Sequence, residues 1–217
     1  MVSRVNRTFF KVSRFLQLRF LLATSNKGKL VEIHSALNGL DVEFRFLLDL
    51  GKLPRPIEDG SSFSQNARLK AQHYYRLTGI PTLADDSGLS IAAIDGAPGV
   101  HSARFAVDDQ QRIQKVLNLM DSFPSPFDRS AYFICCICIC FSSCLIEVSG
   151  RVDGQIYSEP RGQGGFGYDP IFYYPPLGKT FAEMSLKEKN QVSHRAQALR
   201  KLREEIEAFT LRHSKKT

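Results

Sequence analysis

Residues 83–91, LADDSGLSI, set two adjacent carboxylates, Asp85 and Asp86, inside an otherwise apolar run. Leu83 and Ala84 read as the end of a buried strand, and Leu89–Ile94 as the start of another. Neighbouring acids repel, and burying them is costly unless a cation or hydrogen-bond donors compensate. The pair therefore either caps a turn leading into Ser87-Gly88 or holds something positive. Glu58 supplies a third carboxylate. Hard divalent cations take such oxygens, and magnesium commonly uses one or two of them together with water and substrate phosphates.

Three further constellations carry chemistry. Thr24-Ser25-Asn26-Lys27-Gly28-Lys29 lies between a strand pattern and a helix pattern. There, unpaired N–H groups, lysines and a permissive glycine suit a phosphate. It is not a Walker A loop, and a capped, solvated helix start explains the same residues. Asn66 and Lys70 share a helix face at i and i+4, with His73 on it too, either as ligands or as a polar stripe. Glycines around Phe166 and Tyr168 in GGFGYDP, with Gly167 between the rings, leave aromatic faces open for stacking. Asp169 there can accept from a planar ligand edge, while Ser193, His194 and Arg195 follow downstream, Arg195 as a pure donor. A tight turn and a solvated helix face are the plainer alternative.

These groups need a frame. Residues 16–24 and 41–48 read as strands around a helix ending near Leu37, and 51–60 as a loop with two prolines. Ser62 and Gln65 fit a capping box that opens a helix to Leu77; 95–105 is turn-rich and 108–121 helical. Residues 128–141 and 145–154 read as long antiparallel neighbours, and 161–172 as a glycine-rich loop ending in a strand. Ser185 and Glu188 form a second box before a last helix with Val192, Ala196, Leu199, Leu202, Ile206 and Phe209 on one stripe. The pattern is mixed α/β.

Charge and composition narrow the classes. The chain has 217 residues, 43% hydrophobic and 24% charged, which suits a globular domain. Its net charge of +7 would suggest nucleic acid, but residues 1–20 hold five of those charges and the tail from Arg212 three, so the body stands at −1. No nucleic-acid partner is expected. The apolar run Ala131–Phe141 is too short for a membrane span, which needs ~20 residues. All five cysteines fall within 135–144, without His or acid among them; they read as small buried hydrophobes in a reducing compartment rather than as zinc ligands. The Arg-rich, acid-free first twenty residues resemble a mitochondrial presequence and otherwise read as a basic extension. The expected organisation is an extension over 1–15, one catalytic domain over 16–211 and a basic tail over 212–217, cytoplasmic unless the presequence reading holds.

Taken together, LLATSNKGKLVEI, SFSQNARLKA, LADDSGLSIAAIDGAPGVHSARFA, GGFGYDPIF and GKTFAEMSLKEKNQVSHRAQALRKL resemble, in that order, the non-canonical purine nucleoside triphosphate pyrophosphatases. The resemblance runs from about Phe20 to Leu202. It implies an elongated α/β fold, a mixed central sheet with flanking helices and two lobes around an active-site cleft. It also implies a homodimer and Mg²⁺-dependent cleavage of ITP, dITP or XTP to the monophosphate and pyrophosphate, cleansing the nucleotide pool; a related pyrophosphatase with another base preference is the alternative. By resemblance, Thr24, Asn26, Lys29 and Lys70 would hold the triphosphate. Glu58 and Asp86 would bind the metal with Asp85 beside them, and Asp86 would be the base, kept ionised by adjacent cations. Ser87 would touch substrate, Phe166 to Asp169 would read the base, and Lys189, Ser193, His194 and Arg195 would complete that pocket. Gln65 stands where the family usually has Glu.

Overall fold

The structure, a computed structural model, describes residues 18–214. The basic extension over 1–15, the presequence reading and residues 215–217 of the tail lie outside the described residues. Seven strands form one mixed sheet in the order β2-β1-β3-β4-β5-β6-β7. These are β1 (Leu18–Leu22), β2 (Val42–Phe46), β3 (Thr82–Ile91), β4 (Ser130–Cys140), β5 (Leu145–Ile156), β6 (Phe172–Tyr174) and β7 (Lys179–Thr180). β1 runs parallel to both neighbours, and every later pairing is antiparallel. The helices are α1 (Lys27–Leu37), α2 (Phe63–Thr78), α3 (Asp109–Met120), α4 (Leu186–Val192) and α5 (His194–Ser214). The boundary expected at residue 211 thus falls inside α5.

Two-residue alternation sends the sheet's side chains to two cores. On one face Leu83, Cys135, Ile137 and Ile139 pack against Ile33 and Leu37 of α1 and Leu199, Leu202 and Ile206 of α5. On the other, Ala84 and Cys136, Cys138 and Cys140 pack against Ala67, Ala71 and Tyr74 of α2. A third core, around Phe133, Phe172 and Phe181, joins the far ends of β3–β5 to α3 and the β6–β7 segment. Residues from the second and third of these cores, Ala23, Tyr74, Phe133 and Tyr168 among them, line one cleft. Among the described residues, no helix is long and apolar enough to cross a membrane.

Local signals explain most helix ends. Ser62 accepts from the Gln65 backbone N–H at 3.2 Å, yet Gln65 Oε1 reaches Ser61 N–H at 2.8 Å, one residue before the expected box partner. The Ser185–Glu188 box forms in full. Two expectations change. The anticipated last helix is two helices, broken at Ser193, whose extended backbone (φ −66°, ψ 155°) ends α4 and whose Oγ accepts from Ala196 N–H to start α5. Nor does the chain interrupt its strand at the paired acids: β3 runs through both, with Asp85 opposite Ile137 and Asp86 opposite Cys136.

Candidate active site

Because β3 is continuous, its two acids face opposite sides of the sheet. The turn-cap alternative is thereby removed, and so is the picture of three carboxylates around one ion. Asp85, 1% exposed, points toward α1 and α5. There its Oδ2 lies 2.9 Å from Lys29 Nζ and 3.4 Å from Arg195 Nη2. Burial pushes its carboxyl up, but Lys29 and then Arg195 outweigh that and hold it well below the usual carboxylate range. Asp85 is an ion-pair anchor on the sheet face opposite to Asp86.

Asp86 points toward α2. Lys70 Nζ stands 4.0 Å from Asp86 Oδ1 and 3.3 Å from Glu58 Oε1, and donates to the Asp85 carbonyl at 3.2 Å. Asp86 Oδ2 is buried without a hydrogen-bond partner among the described residues. Burial raises the Asp86 carboxyl above its ordinary value despite Lys70 and Lys29, reversing the direction expected from the nearby cations. Arg104 pins the Glu58 segment, donating to the Glu58 carbonyl at 3.2 Å. Asn66 does likewise from α2: its Oδ1 accepts from Gly60 N–H at 2.8 Å, and the side chain is buried away from the cleft.

The loop after β1 forms the adjoining wall. Thr24 Oγ1 accepts from Asn26 N–H, and Asn26 Oδ1 accepts from Lys29 N–H to cap α1, which turns the first amides of the helix and Lys29 toward the cleft. Gly28 is needed there because a Cβ would overlap the Phe166 ring. Phe166 is half-buried, while Tyr168 is fully buried with its hydroxyl donating to the Ser102 carbonyl at 2.9 Å. Of the two rings expected to stack on a ligand, Phe166 is the one left partly exposed at the cleft; Tyr168 braces the loop, and Gly167 donates its N–H to Asp109 Oδ2 at 2.8 Å.

Behind Phe166 lies a chain of alternating buried charges. Asp169 accepts from Phe166 N–H at 2.9 Å and from Lys189 Nζ. Lys189 Nζ is also 2.8 Å from Glu32 Oε1, and Glu32 Oε2 accepts from Arg195 Nη1. Arg195 continues to Asp85 and donates to Ser87 Oγ at 2.7 Å. The order Lys29–Asp85–Arg195–Glu32–Lys189–Asp169 is thus charge-balanced from the phosphate-side wall to the ring. Burial would raise Glu32, but Arg195 and Lys189 offset it and hold the acid ionised. His194, stacked on Phe133 at 4.7 Å, is pushed well below its ordinary pKa by burial and then by Arg195 and Lys189, so it is neutral at pH 7.

The cleft has a volume of about 510 Å³, within the span of small-molecule sites. It is lined by Thr24, Asn26, Lys29, Glu58, Lys70, Asp86, Ser87, Phe166–Asp169, Lys189, His194 and Arg195. Asn66 and Ser193 do not line this cleft; Asn66 holds the segment after Glu58 through Gly60, and Ser193 caps α5. Glu32 was missed by sequence reasoning, although it lies three residues after Lys29 and so on the same helix face. Arg55, Arg104 and Arg112 also line the cleft, and their loop and helix positions gave no signal of it.

Residues 20–205 match the Ham1 family. The dITP/XTP pyrophosphatase of Syntrophobacter fumaroxidans is 46% identical over 188 residues, 86% of this chain and 81% of that protein. The enzyme of the same name from Desulfotalea psychrophila is 44% identical over 186 residues, 85% of this chain and 83% of its own. A HAM1 protein from Coxiella burnetii superposes with a TM-score of 0.81 at 43% identity, over 88% of this chain and 99% of that one. The Staphylococcus aureus Ham1 protein gives 0.79 at 34% identity, covering 88% and 98%. With the family match spanning residues 20–205 and two Ham1 structures superposing over 88% of it, the chain belongs to the Ham1 family.

Proposed function

We propose that the protein hydrolyses non-canonical purine nucleoside triphosphates, ITP, dITP and XTP, to the monophosphate and pyrophosphate, removing them from the nucleotide pool. The observation that carries this reading is Asp86: its Oδ2 is buried without a hydrogen-bond partner among the described residues, and its Oδ1 lies 4.0 Å from Lys70, which also pairs with Glu58, in a cleft lined by the helix start at Asn26–Lys29 and by the Phe166–Asp169 loop. Relatives named dITP/XTP pyrophosphatase at 44–46% identity support it.

Mg²⁺ fits that site. Among the described residues no three His, Cys, Asp or Glu side chains converge, and magnesium needs only one or two carboxylates when substrate phosphates complete its shell. Glu58 and Asp86 would hold it. When bound, the ion supplies neutralisation of phosphate charge and a lower pKa for nearby water. Asp86 takes the proton of the attacking water, and its burial-raised pKa gives it proton affinity suited to that task. Lys29, Lys70, Asn26 and Thr24 orient the triphosphate so that the α–β anhydride bond breaks and pyrophosphate leaves. Phe166 stacks on the purine. A 6-keto oxygen accepts from Arg195 or from neutral His194, whereas a 6-amino group would set donors against donors. By family resemblance the working unit is a homodimer. The free thiols, four of them buried, favour a reducing compartment such as the cytoplasm.

The test is a substrate panel of ITP, XTP, dITP, ATP, GTP and dTTP with Mg²⁺, scored for pyrophosphate against orthophosphate. Pyrophosphate release with ITP well ahead of ATP is expected. Equal turnover of ATP and ITP would overturn the 6-keto reading, and orthophosphate as product would overturn the pyrophosphatase reading.

A further inference from the structure

We propose that Arg55 grips the terminal phosphate of the nucleotide and so sets a preference for triphosphate over diphosphate. The inference deepens the activity proposed above and rests on it. Seven lysine and arginine side chains line the cleft, and six of them are committed to carboxylates. Lys29 lies on Asp85, Lys70 and Arg104 on Glu58, Arg112 on Asp109, Lys189 on Glu32 and Asp169, and Arg195 on Glu32 and Asp85. Arg55 is the seventh. It is exposed, and among the described residues no carboxylate pairs with it and no acceptor takes its N–H groups.

Its side chain is uncommitted, but its backbone is not. Arg55 stands between Pro54 and Pro56, and a proline locks its own φ and biases the residue before it toward extended backbone. The segment is pinned on both sides. Leu53 packs into the core under α2, and His73 of α2 donates from Nε2 to the Pro54 carbonyl at 2.8 Å. Lys70 and Arg104 hold Glu58, three residues further on. A guanidinium presented on backbone held this firmly binds a ligand without first ordering a loop.

Its place in the cleft selects the ligand group. Lys189 and Arg195 lie at the Phe166 ring, and Arg195 runs on to Asp85 on the α1 and α5 face of the sheet. Arg55 lies toward α2 instead, where its charge and that of Lys70 both act on the Tyr74 hydroxyl. A nucleotide with its purine on Phe166 and its α–β anhydride at Asp86 and Glu58 extends its remaining phosphate toward that side. The terminal phosphate offers three free oxygens, and the planar fork of a guanidinium matches two of them. A diphosphate ends before it.

The experiment measures IMP formation from ITP and from IDP with Mg²⁺, and calorimetric binding of inorganic pyrophosphate and of IMP, for wild type, Arg55→Ala and Arg55→Lys. In Arg55→Ala, kcat/KM for ITP is expected to fall about tenfold, the value of one charge-assisted contact at an exposed site, while that for IDP stays within about twofold. Pyrophosphate binding should weaken by about the same tenfold factor, with IMP binding unchanged. Arg55→Lys keeps the charge without the fork and should recover about threefold. Equal losses on ITP and IDP, or undiminished pyrophosphate binding, overturn the inference. So does an Arg55→Ala protein that melts more than about 3 °C below wild type, because the side chain would then have a structural partner. A wild-type protein that releases no pyrophosphate from ITP would overturn the proposed activity instead, and the pyrophosphate-binding comparison then decides by itself whether Arg55 is a phosphate ligand.

Discussion

Replacing each of the two neighbouring acids by its amide should separate catalysis from stability. Asp85→Asn removes the carboxylate that Lys29 and Arg195 share at 2.9 and 3.4 Å in a site 1% exposed. Arg195 keeps Glu32, but removing one carboxylate from a buried ion-pair set costs about 3–5 kcal/mol. At about 2–4 °C per kcal/mol for a domain of this size, the melting temperature should drop by roughly 6–20 °C. The sign follows from linkage. Asp85 is depressed in the fold, so its contribution is present above its unfolded value of 3.8 and is lost as pH falls through the folded one. At pH 7 it is fully in force. Asp86 is raised, so its ionised form is disfavoured in the folded protein and Asp86→Asn should melt at or above the wild-type temperature at pH 7. Its kcat should nonetheless fall by about 10²–10⁴, the value of a general base. Scanning calorimetry at pH 7 and pyrophosphate release from ITP give both readouts. Near-normal turnover in Asp86→Asn would refute its role as base, and an Asp85→Asn protein as stable as wild type would refute the anchor.

Other outcomes follow from the same geometry. His194 is buried neutral, so below pH 6.5 the unfolded chain binds a proton that the fold refuses and stability falls with pH. Between pH 6.5 and 5.5 wild type should lose about 1 kcal/mol more than His194→Gln in urea unfolding; parallel losses would place the imidazole in a different state. Gly28→Ala should push the Phe166 ring aside and raise KM for ITP about tenfold with a smaller change in kcat, and an unchanged KM would mean that the ring does not contact the base. Of the five free cysteines only Cys144 is exposed, while burial pushes Cys136 to about 11 and Cys138 to about 12. A thiol reagent should therefore modify Cys144 alone in the native protein and the others only on unfolding.

Local chemistry was legible in the sequence and long-range pairing was not. The Ser185–Glu188 box, the capped start of α1 and the cysteine face 136-138-140 all formed as the spacing implies, because their partners lie within four residues. The paired aspartates looked like a break because such residues are depleted in strands, yet β3 continues through them. What overrides propensity there is a cation on each face, Lys29 and Arg195 on one and Lys70 on the other, contributed by three different helices. Phe166 and Tyr168 could not be told apart, since only the turn between them decides which ring is buried. Glu32 stayed hidden because its partners are more than 150 positions away.

The buried alternation of charges behind Phe166 has a consequence for ionic strength. At 0.15 M salt the screening length is about 8 Å, and it acts on solvated charges far more than on those shut away from water. The half-exposed Arg104 guanidinium at the cleft mouth meets mobile ions; Glu32, Asp169, Lys189 and Arg195, each at most 5% exposed, do not. Added salt therefore weakens the attraction for every triphosphate to a similar degree. The ranking of one base over another, set by hydrogen bonds in a compartment with no net charge, passes unchanged from dilute buffer to a crowded, salty cell.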